Sequence, residues 1–269
     1  MIKTFNVLKA TAFVTYKEWA AYRSHMLVSV FVGPIYFLVQ YFIWSAVLKH
    51  QETINGFTLE QILMYYGITM LVNYCIMDFA GWNLQMLIHT GKFLTFMLRP
   101  VNHKYFAFSQ KIGHRLLGFC LEFIPVYLLF CFVFRLNLVP DNFIWTLISV
   151  ILGFVMMFLV NYTIGITSFW LIRTGGISRM FLLIRDIFAG VFIPLSFFPE
   201  TMQKILFYLP FQYISYVPVR VFLGSYELAG KSYEISYIVF LQFVAVIVML
   251  LISEVLWKLG IKKFSGVGA

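Results

Sequence analysis

A chain of 269 residues that is 61% hydrophobic and 12% charged, with a mean hydropathy of +0.87, is too apolar for water. A soluble domain charges about a quarter of its positions, so the solvent here is lipid, where only helices and closed barrels satisfy every backbone polar group. Unbroken apolar runs of about 20 residues or more select helices over a barrel, and the net charge of +9 reads as membrane topology rather than nucleic-acid binding, because Lys and Arg gather in particular loops.

Residues 1–25 read as an amphipathic helix lying on the membrane, with Phe5, Leu8, Ala12, Tyr16 and Trp19 on one face and Lys3, Asn6 and Lys17 elsewhere. The stretch carries no apolar h-region with a small-residue cleavage site, so it does not read as a secretory leader. A first span covers 26–48, with Pro34 inside it. Thr58 and Gln61 form a capping-box signature opening a second helix over 59–88. That run exceeds the ~20 residues a bilayer requires, so it is expected to tilt or project into water. The basic segment "HTGKFLTFMLRPVNHKY" follows within a loop over 88–111, and a third span over 112–134 carries Glu122 and Pro125. "RLNLVPDN" turns the chain into a fourth span over 143–172, and "RTGGISR" links it to a fifth that begins "MFLLIRDIFAG". An irregular amphipathic stretch runs on to Gly224, and a last span covers 235–257.

Six spans put both termini on one side of the membrane. The N-terminal segment, the 88–111 loop with the start of the third span, the fourth-to-fifth link and the tail hold fifteen Lys and Arg; the opposite side holds five, Lys49, Arg135, Lys204, Arg220 and Lys231. That asymmetry places the termini and the basic segment in the cytoplasm.

The motif inventory excludes several chemistries. No GxxxxGK[ST], HExxH or GxSxG occurs, which removes the P-loop, the helical zinc site and the serine nucleophile elbow. His89, His103 and His114 have no local carboxylate or Cys at ligand spacing, Cys75, Cys120 and Cys131 read as small hydrophobes, and Asp78 and Asp186 lack the flanking glycine of an intramembrane aspartyl pair. Polar residues at membrane depth are costly and face a bundle interior or a cavity. Asn73, Asp78, Glu122, Asn161, Arg185 and Asp186 are therefore candidates to line a substrate path, or to join helices by hydrogen bonds and an Arg–Asp pair.

The basic segment is longer than a connector needs. Phe93, Phe96 and Met97 mark one helical stripe with Leu94 and Leu98 beside it, and Pro100 ends that short helix. The stripe must be buried in lipid or against a partner protein.

Three features resemble the permease subunit of ABC-2 type ABC transporters, in the branch of short bacterial six-span permeases. The N-terminal helix is similar to that family's interfacial elbow. "GKFLTFMLRPVNHKYF" resembles its Gly- and Leu-containing segment that ends in R-P, with Gly91, Leu94, Leu98, Arg99 and Pro100 as the matching residues and Phe93 where the family has Leu. "FAGVFIPLSFFPETMQKILFYLPFQYISYVPVRVFLG" is similar to the family's block around the fifth span, with Gly190, Pro194, Leu195, Pro199, Pro210, Phe211, Pro218 and Gly224 in the pattern. This last feature is the most specific, and the resemblance covers essentially the whole chain.

The resemblance implies an all-α polytopic membrane protein: an elbow helix over 1–25, then one six-span domain over 26–269 with a cytoplasmic coupling helix and a re-entrant outer region over 200–224. Gly91, Lys92, Phe93, Leu94, Phe96, Met97, Leu98, Arg99 and Pro100 would meet one of two separate ATP-binding subunits. Those subunits would hold the ATP and Mg, leaving this chain non-catalytic and without a cofactor or metal of its own. A second permease chain, identical or similar, would complete the path, membrane lipid would surround it, and no nucleic acid is implied. Pro194, Phe197, Phe198, Pro199, Phe207, Pro210 and Phe211 would form an outer gate, or pack as ordinary interfacial aromatics. The implied activity is ATP-driven export of an amphipathic or hydrophobic substrate across a bacterial cytoplasmic membrane by alternating access. The rivals are a stand-alone secondary transporter, whose matching interrupted helices Pro34 and Pro194 do not supply, and a lipid-acting enzyme, for which no catalyst is nominated. The 31 Phe and 16 Tyr suit apolar cargo and lipid interfaces alike.

Overall fold

A computed structural model of the chain describes residues 2–171 and 175–264. The N-terminal segment folds as α1 (Ile2–Ala21) and α2 (Arg23–Ser29). After a break at Val30 and Phe31, α3 (Val32–Val47) continues. Pro34 lies in its first turn, where a missing N–H costs nothing, and the Gly33 N–H donates instead to the Tyr74 hydroxyl at 2.9 Å.

The capping box forms as the sequence predicts. Thr58 Oγ1 accepts from the Gln61 N–H, and Gln61 Oε1 accepts from the Thr58 N–H, opening α4 (Leu59–Ile76). The single helix expected over 59–88 is corrected here: it breaks at 77–79 and resumes as α5 (Ala80–His89), bent by 45°. Partners from elsewhere in the fold hold the break. Arg115 Nη1 donates to the Tyr74 carbonyl at 2.8 Å, and Asn161 Nδ2 to the Asp78 carbonyl at 3.3 Å. Freed carbonyls in a membrane helix need such donors.

After α6 (Lys92–Met97) comes α7 (His103–Gly118), a π-helical turn at Phe119–Phe123, and α8 (Ile124–Phe132). The third span thus begins at His103, nine residues before the expected start, and residues 103–111 belong to a helix rather than to a loop. Asn102 sets that start by accepting the Lys104 N–H at 2.9 Å. The π turn lies just ahead of Pro125, whose ring and missing N–H disrupt regular α-helical bonding.

The long helix α9 (Phe143–Ile166), extended by a 3-10 turn at Thr167–Phe169, occupies the middle of the bundle against α4, α5 and the later elements α12 (Tyr216–Phe222) and α13 (Ile235–Lys263). Residue 172, the expected end of the fourth span, lies outside the described residues. In the fully buried contact with α13, Ser149 Oγ donates to Gln242 Oε1 at 2.7 Å, and Gln242 Nε2 reaches the Ser149 and Tyr213 carbonyls.

Where a fifth span is expected lies α10 (Gly175–Phe188), whose 14 residues reach about 21 Å against a hydrocarbon core of about 30 Å. It ends in a turn at Gly190, which has φ +76°. Three tyrosine hydroxyls hold that turn: Tyr36 to the Val191 carbonyl, Tyr65 to Gly190 and Tyr66 to Phe192. The region beyond contains a 3-10 turn at Leu195–Phe197, α11 (Glu200–Tyr208), a second 3-10 turn at Pro210–Tyr213 and α12. On the exposed face of α11, Lys204 lies 2.7 Å from Glu200 and holds its carboxyl below the usual range. Two three-residue strands, β1 (Tyr226–Leu228) and β2 (Lys231–Tyr233), pair antiparallel before α13. This small hairpin and an isolated antiparallel bridge between Ile54 and Phe57 are the departures from an all-α architecture among the described residues.

Among the described residues four helical stretches are long and apolar enough to cross a membrane: 26–50, 103–132, 143–169 and 235–263; the bent α4–α5 pair makes a fifth. The α10 stretch is not among them. Phe42, Ile144 and Leu251 remain more than half exposed, as side chains facing lipid do.

Helix α1 packs along α7, where the Ala12 carbonyl meets Gly113. Its inward face is Leu8, Thr11, Ala12, Thr15 and Trp19; Phe5 and Tyr16, expected on the same face, are exposed. Small residues win the contact because they let two helix backbones approach. A similar approach joins α5 to α9, with Gly81 against the Asn161 backbone carbonyl and Gly165 against Gly81. A methyl group at Gly81 overlaps that carbonyl, so Gly81→Ala will destabilise the protein by about 1–3 kcal/mol, read as a lowered Tm of purified protein. An unchanged Tm would show that α5 is not seated on α9.

Candidate functional site

The basic segment is built from the turn upward. Gly91 has φ +71°, with nothing within 4 Å of where a Cβ would stand, so backbone conformation alone selects glycine there. The turn launches α6, which divides its apolar residues between two faces. Phe93 and Phe96 are 1% and 7% exposed, whereas Leu94, Met97 and Leu98 are exposed, Leu98 to 86%. Met97 therefore leaves the stripe expected with Phe93 and Phe96 and joins Leu94 and Leu98 outside. Lys92, Arg99 and Pro100 are exposed as well. The Arg99 guanidinium lies over the Phe96 and Phe106 rings at 5.3 and 5.7 Å.

Phe93 sits in an aromatic socket. Its ring centroid is 5.3–6.0 Å from those of Phe264, Phe169, His103 and Trp257. His103 Nδ1 lies 2.9 Å from the Tyr162 hydroxyl, and Lys104 Nζ pairs with Glu254 at 2.8 Å. The short helix is thereby tied to α7, α9 and α13 together, and a displacement of α6 is felt by all three.

Four of the six candidate path residues form one node. Asn161 Nδ2 donates to Asp78 Oδ2 at 3.2 Å, Arg185 Nη1 donates to Asn161 Oδ1, and Arg185 Nε and Nη2 hold Asp186 Oδ1 at 2.9 and 2.7 Å. This node joins the break between α4 and α5 to α9 and α10. Glu122 belongs to a second node, paired with Arg115 Nη1 at 3.0 Å and accepting from the Ser29 hydroxyl. Asn73 is half-buried one turn before the break, and its backbone carbonyl accepts the Met77 N–H at 2.9 Å.

A cleft of about 1020 Å³ opens between α1, the break, α5, α6 and α7. Trp19, Phe79, Trp82 and Phe96 give it an aromatic lining, while Lys92 and Arg99 of α6, Glu18 of α1, and Asp78 and Lys111 supply charge. Asp78 alone among the candidate path residues reaches it. Sequence reasoning missed the lining role of α1 and of Lys111, whose ammonium donates to the Phe154 carbonyl at 2.7 Å and lies 4.0 Å from the Phe154 ring centre. A lysine within the helical run 103–132 was the available signal.

The outer phenylalanines are not brought together. Phe197 packs on Trp44 and Phe57, Phe207 on Tyr233 and Tyr208, and Phe211 on Phe188. Phe198 contributes a carbonyl that accepts from Gln203 Nε2 at 2.6 Å. Pro194 precedes the first 3-10 turn, Pro199 precedes α11, and Pro210 opens the second 3-10 turn. Among the described residues no cluster of His, Cys, Asp or Glu could hold a metal ion.

These features define a polytopic helical membrane protein with polar nodes buried in an apolar core and a short amphipathic helix at one end. Residues 35–268 match the family described as ABC-2 family transporter protein, and the chain belongs to that family, as a permease component of an ABC transporter. No curated protein and no solved structure matches it.

Proposed function

We propose that this chain is the membrane subunit of an ATP-driven exporter and that α6 is its coupling helix. The observation that carries the reading is the division of α6 into a buried aromatic face and an exposed apolar one, Leu94, Met97 and Leu98. Exposed apolar side chains on a charged surface mark a contact site, and a sequence without a P-loop needs its nucleotide chemistry from elsewhere. Two ATP-binding subunits would each receive one such helix. The surface they meet is Leu94, Met97, Leu98, Arg99 and Pro100 with Lys92, while Gly91, Phe93 and Phe96 anchor the helix from within.

In this reading six passes, counting α10 and the turn after it, put both termini in the cytoplasm of a bacterial cell. Among the described side chains, four basic residues on that side (Lys104, Lys111, Arg115, Arg185) and one opposite (Arg220) are buried in the bundle. Setting them aside leaves eleven against four, and the asymmetry survives. A second permease chain, identical or similar, closes the path. The ATP-bound state of the partner prefers one conformation of the bundle, and alternating access follows as a population shift. The cleft beside α6, with its aromatic wall and mixed charge, suits amphipathic cargo, and its volume is at the top of the range for small-molecule sites. The outer prolines and phenylalanines would gate the far end through their separate packing pairs.

One observation favours a second reading. The helical breaks at 77–79 and after Phe188 fall in the second and fifth passes, corresponding places in two three-pass halves, as in stand-alone transporters. Transport by the reconstituted chain without any ATPase subunit would establish that alternative. The coupling role is tested by Gly91→Pro. Proline holds φ near −65° and has no N–H, whereas Gly91 has φ +71° and donates to the Ile88 carbonyl. Substrate-stimulated ATP turnover of the assembled complex will fall about tenfold or more, since geometric coupling errors are costly, while membrane insertion is retained. Unchanged turnover would refute the role.

A further inference from the structure

The end of the bundle opposite α6 holds a cation with no counter-charge among the described residues. Three arginines are buried within the described residues: Arg115, Arg185 and Arg220. Arg115 has Glu122, and Arg185 has Asp186. Arg220, on α12 and 9% exposed, is in none of the ion pairs found among the described residues. Its Nη2 donates to Ser225 Oγ at 3.2 Å, and its Nε is buried without a partner. A buried guanidinium without a carboxylate is expensive, so the site is built for an acceptor that comes from outside the chain.

A cavity of about 240 Å³ opens on this side chain. Ser225 and Gln61 give it a polar edge; Phe57, Met64 and Leu223 form an apolar wall. Gln61 spends its carbonyl oxygen on the Thr58 N–H, which leaves its amide N–H groups to donate. Tyr65 borders the cavity too, but its hydroxyl is committed to the Gly190 carbonyl at 2.6 Å. Glu60 is the acidic side chain at the rim; it is exposed and makes no ion pair with Arg220. The volume is below that of a drug-sized ligand site, so it fits a headgroup rather than a whole lipid or substrate.

We propose that Arg220 is the anion-binding residue of a second site, distinct from the cleft beside α6, that takes a phosphate or carboxylate group. The planar guanidinium fork matches either oxyanion, Ser225 and Gln61 add donors, and the apolar wall meets the carbon atoms next to the charge. An anionic phospholipid headgroup and a free anion share this chemistry. The site rests on Arg220 and its cavity; the topology proposed above, with α6 in the cytoplasm, would put it at the outer leaflet.

The test uses the full-length protein, purified in neutral detergent, in two arms. In the first, nanodiscs of phosphatidylcholine doped with phosphatidylglycerol are prepared and the co-purifying lipid is measured by native mass spectrometry. In the second, inorganic phosphate is titrated and Tm is followed. Wild type will retain phosphatidylglycerol over phosphatidylcholine, and Arg220→Gln will lower that excess roughly tenfold, as expected for loss of a charged hydrogen-bonding group; Arg220→Lys will fall between. A phosphate-dependent rise in Tm that Arg220→Gln abolishes, without lipid preference, assigns the same site to a free anion. If Arg220→Gln fails to fold, Ser225→Ala carries both arms and is expected to weaken binding severalfold. Equal lipid retention and equal phosphate response in wild type and folded variants would overturn the proposal. So would non-additive destabilisation in Glu60→Gln and Arg220→Gln, which would make Glu60 the counter-charge.

Discussion

Arg115→Met will cost the folded protein about 3–5 kcal/mol, because it strands a buried carboxylate. The Arg115 and Glu122 side chains are 5% and 2% exposed and meet at 3.0 Å. Around them Arg115 Nη1 also serves the Tyr74 carbonyl, the Tyr74 hydroxyl serves the Ser29 carbonyl at 2.8 Å, and the Ser29 hydroxyl donates to Glu122. One node thus links α2, α4, α7 and the π turn. Gly118 makes it possible, since a Cβ there would stand 2.8 Å from Glu122 Oε2 and 2.9 Å from Arg115 Cζ. The double variant Arg115→Met with Glu122→Gln removes both charges and will recover most of the loss, as replaced buried ion pairs do. The measurement is a double-mutant cycle on unfolding in detergent. Equal destabilisation in the single and double variants would show that no charge is stranded and that the node acts by packing alone.

Features written in local chemistry were legible in the sequence. The Thr58–Gln61 capping box and the end of α6 before Pro100 each depend on residues within a few positions of one another. The break at 77–79 was not legible, because Met77, Asp78 and Phe79 include neither Pro nor Gly, and the donors that stabilise it, Arg115 and Asn161, arrive from other helices. The turn at Gly190 likewise depends on distant partners, Tyr36, Tyr65 and Tyr66, from up to 155 positions away. Apolarity misplaced the start of α7, since Lys104, Lys111 and Arg115 depress hydropathy across a helix that buries all three; Asn102 as N-cap was the better signal. Of the candidate site, cost in lipid singled out Asp78, Asn161, Arg185 and Asp186 individually, but their assembly into one chain of hydrogen bonds needed the packing of α5, α9 and α10. On α6, helical periodicity located the amphipathic element without saying which of its apolar residues turn inward, because six residues make too short a helix for the stripe to be unique.

That inward and outward division separates two variants of similar chemistry. Phe93→Ala will empty the socket formed by His103, Phe169, Trp257 and Phe264 and lower stability by about 3–5 kcal/mol, the usual cost of a buried Phe cavity. Leu98→Glu will leave Tm nearly unchanged, since a side chain 86% exposed has little to lose in the isolated subunit. Its effect will fall on assembly. If Leu98 is an apolar anchor in a groove of the ATP-binding subunit, placing a charge there will weaken the complex by about 2 kcal/mol or more, roughly thirtyfold in Kd, as at an interface hot spot. Titrating detergent-purified permease with the purified ATP-binding subunit reads that change, and ATP turnover of the complex follows it. A Leu98→Glu protein that binds and drives turnover like wild type would leave the exposed face of α6 to lipid. A Phe93→Ala protein with unchanged Tm would mean the socket does not hold the helix. The two outcomes are independent, because one residue supports the helix from inside the bundle and the other meets whatever lies outside it.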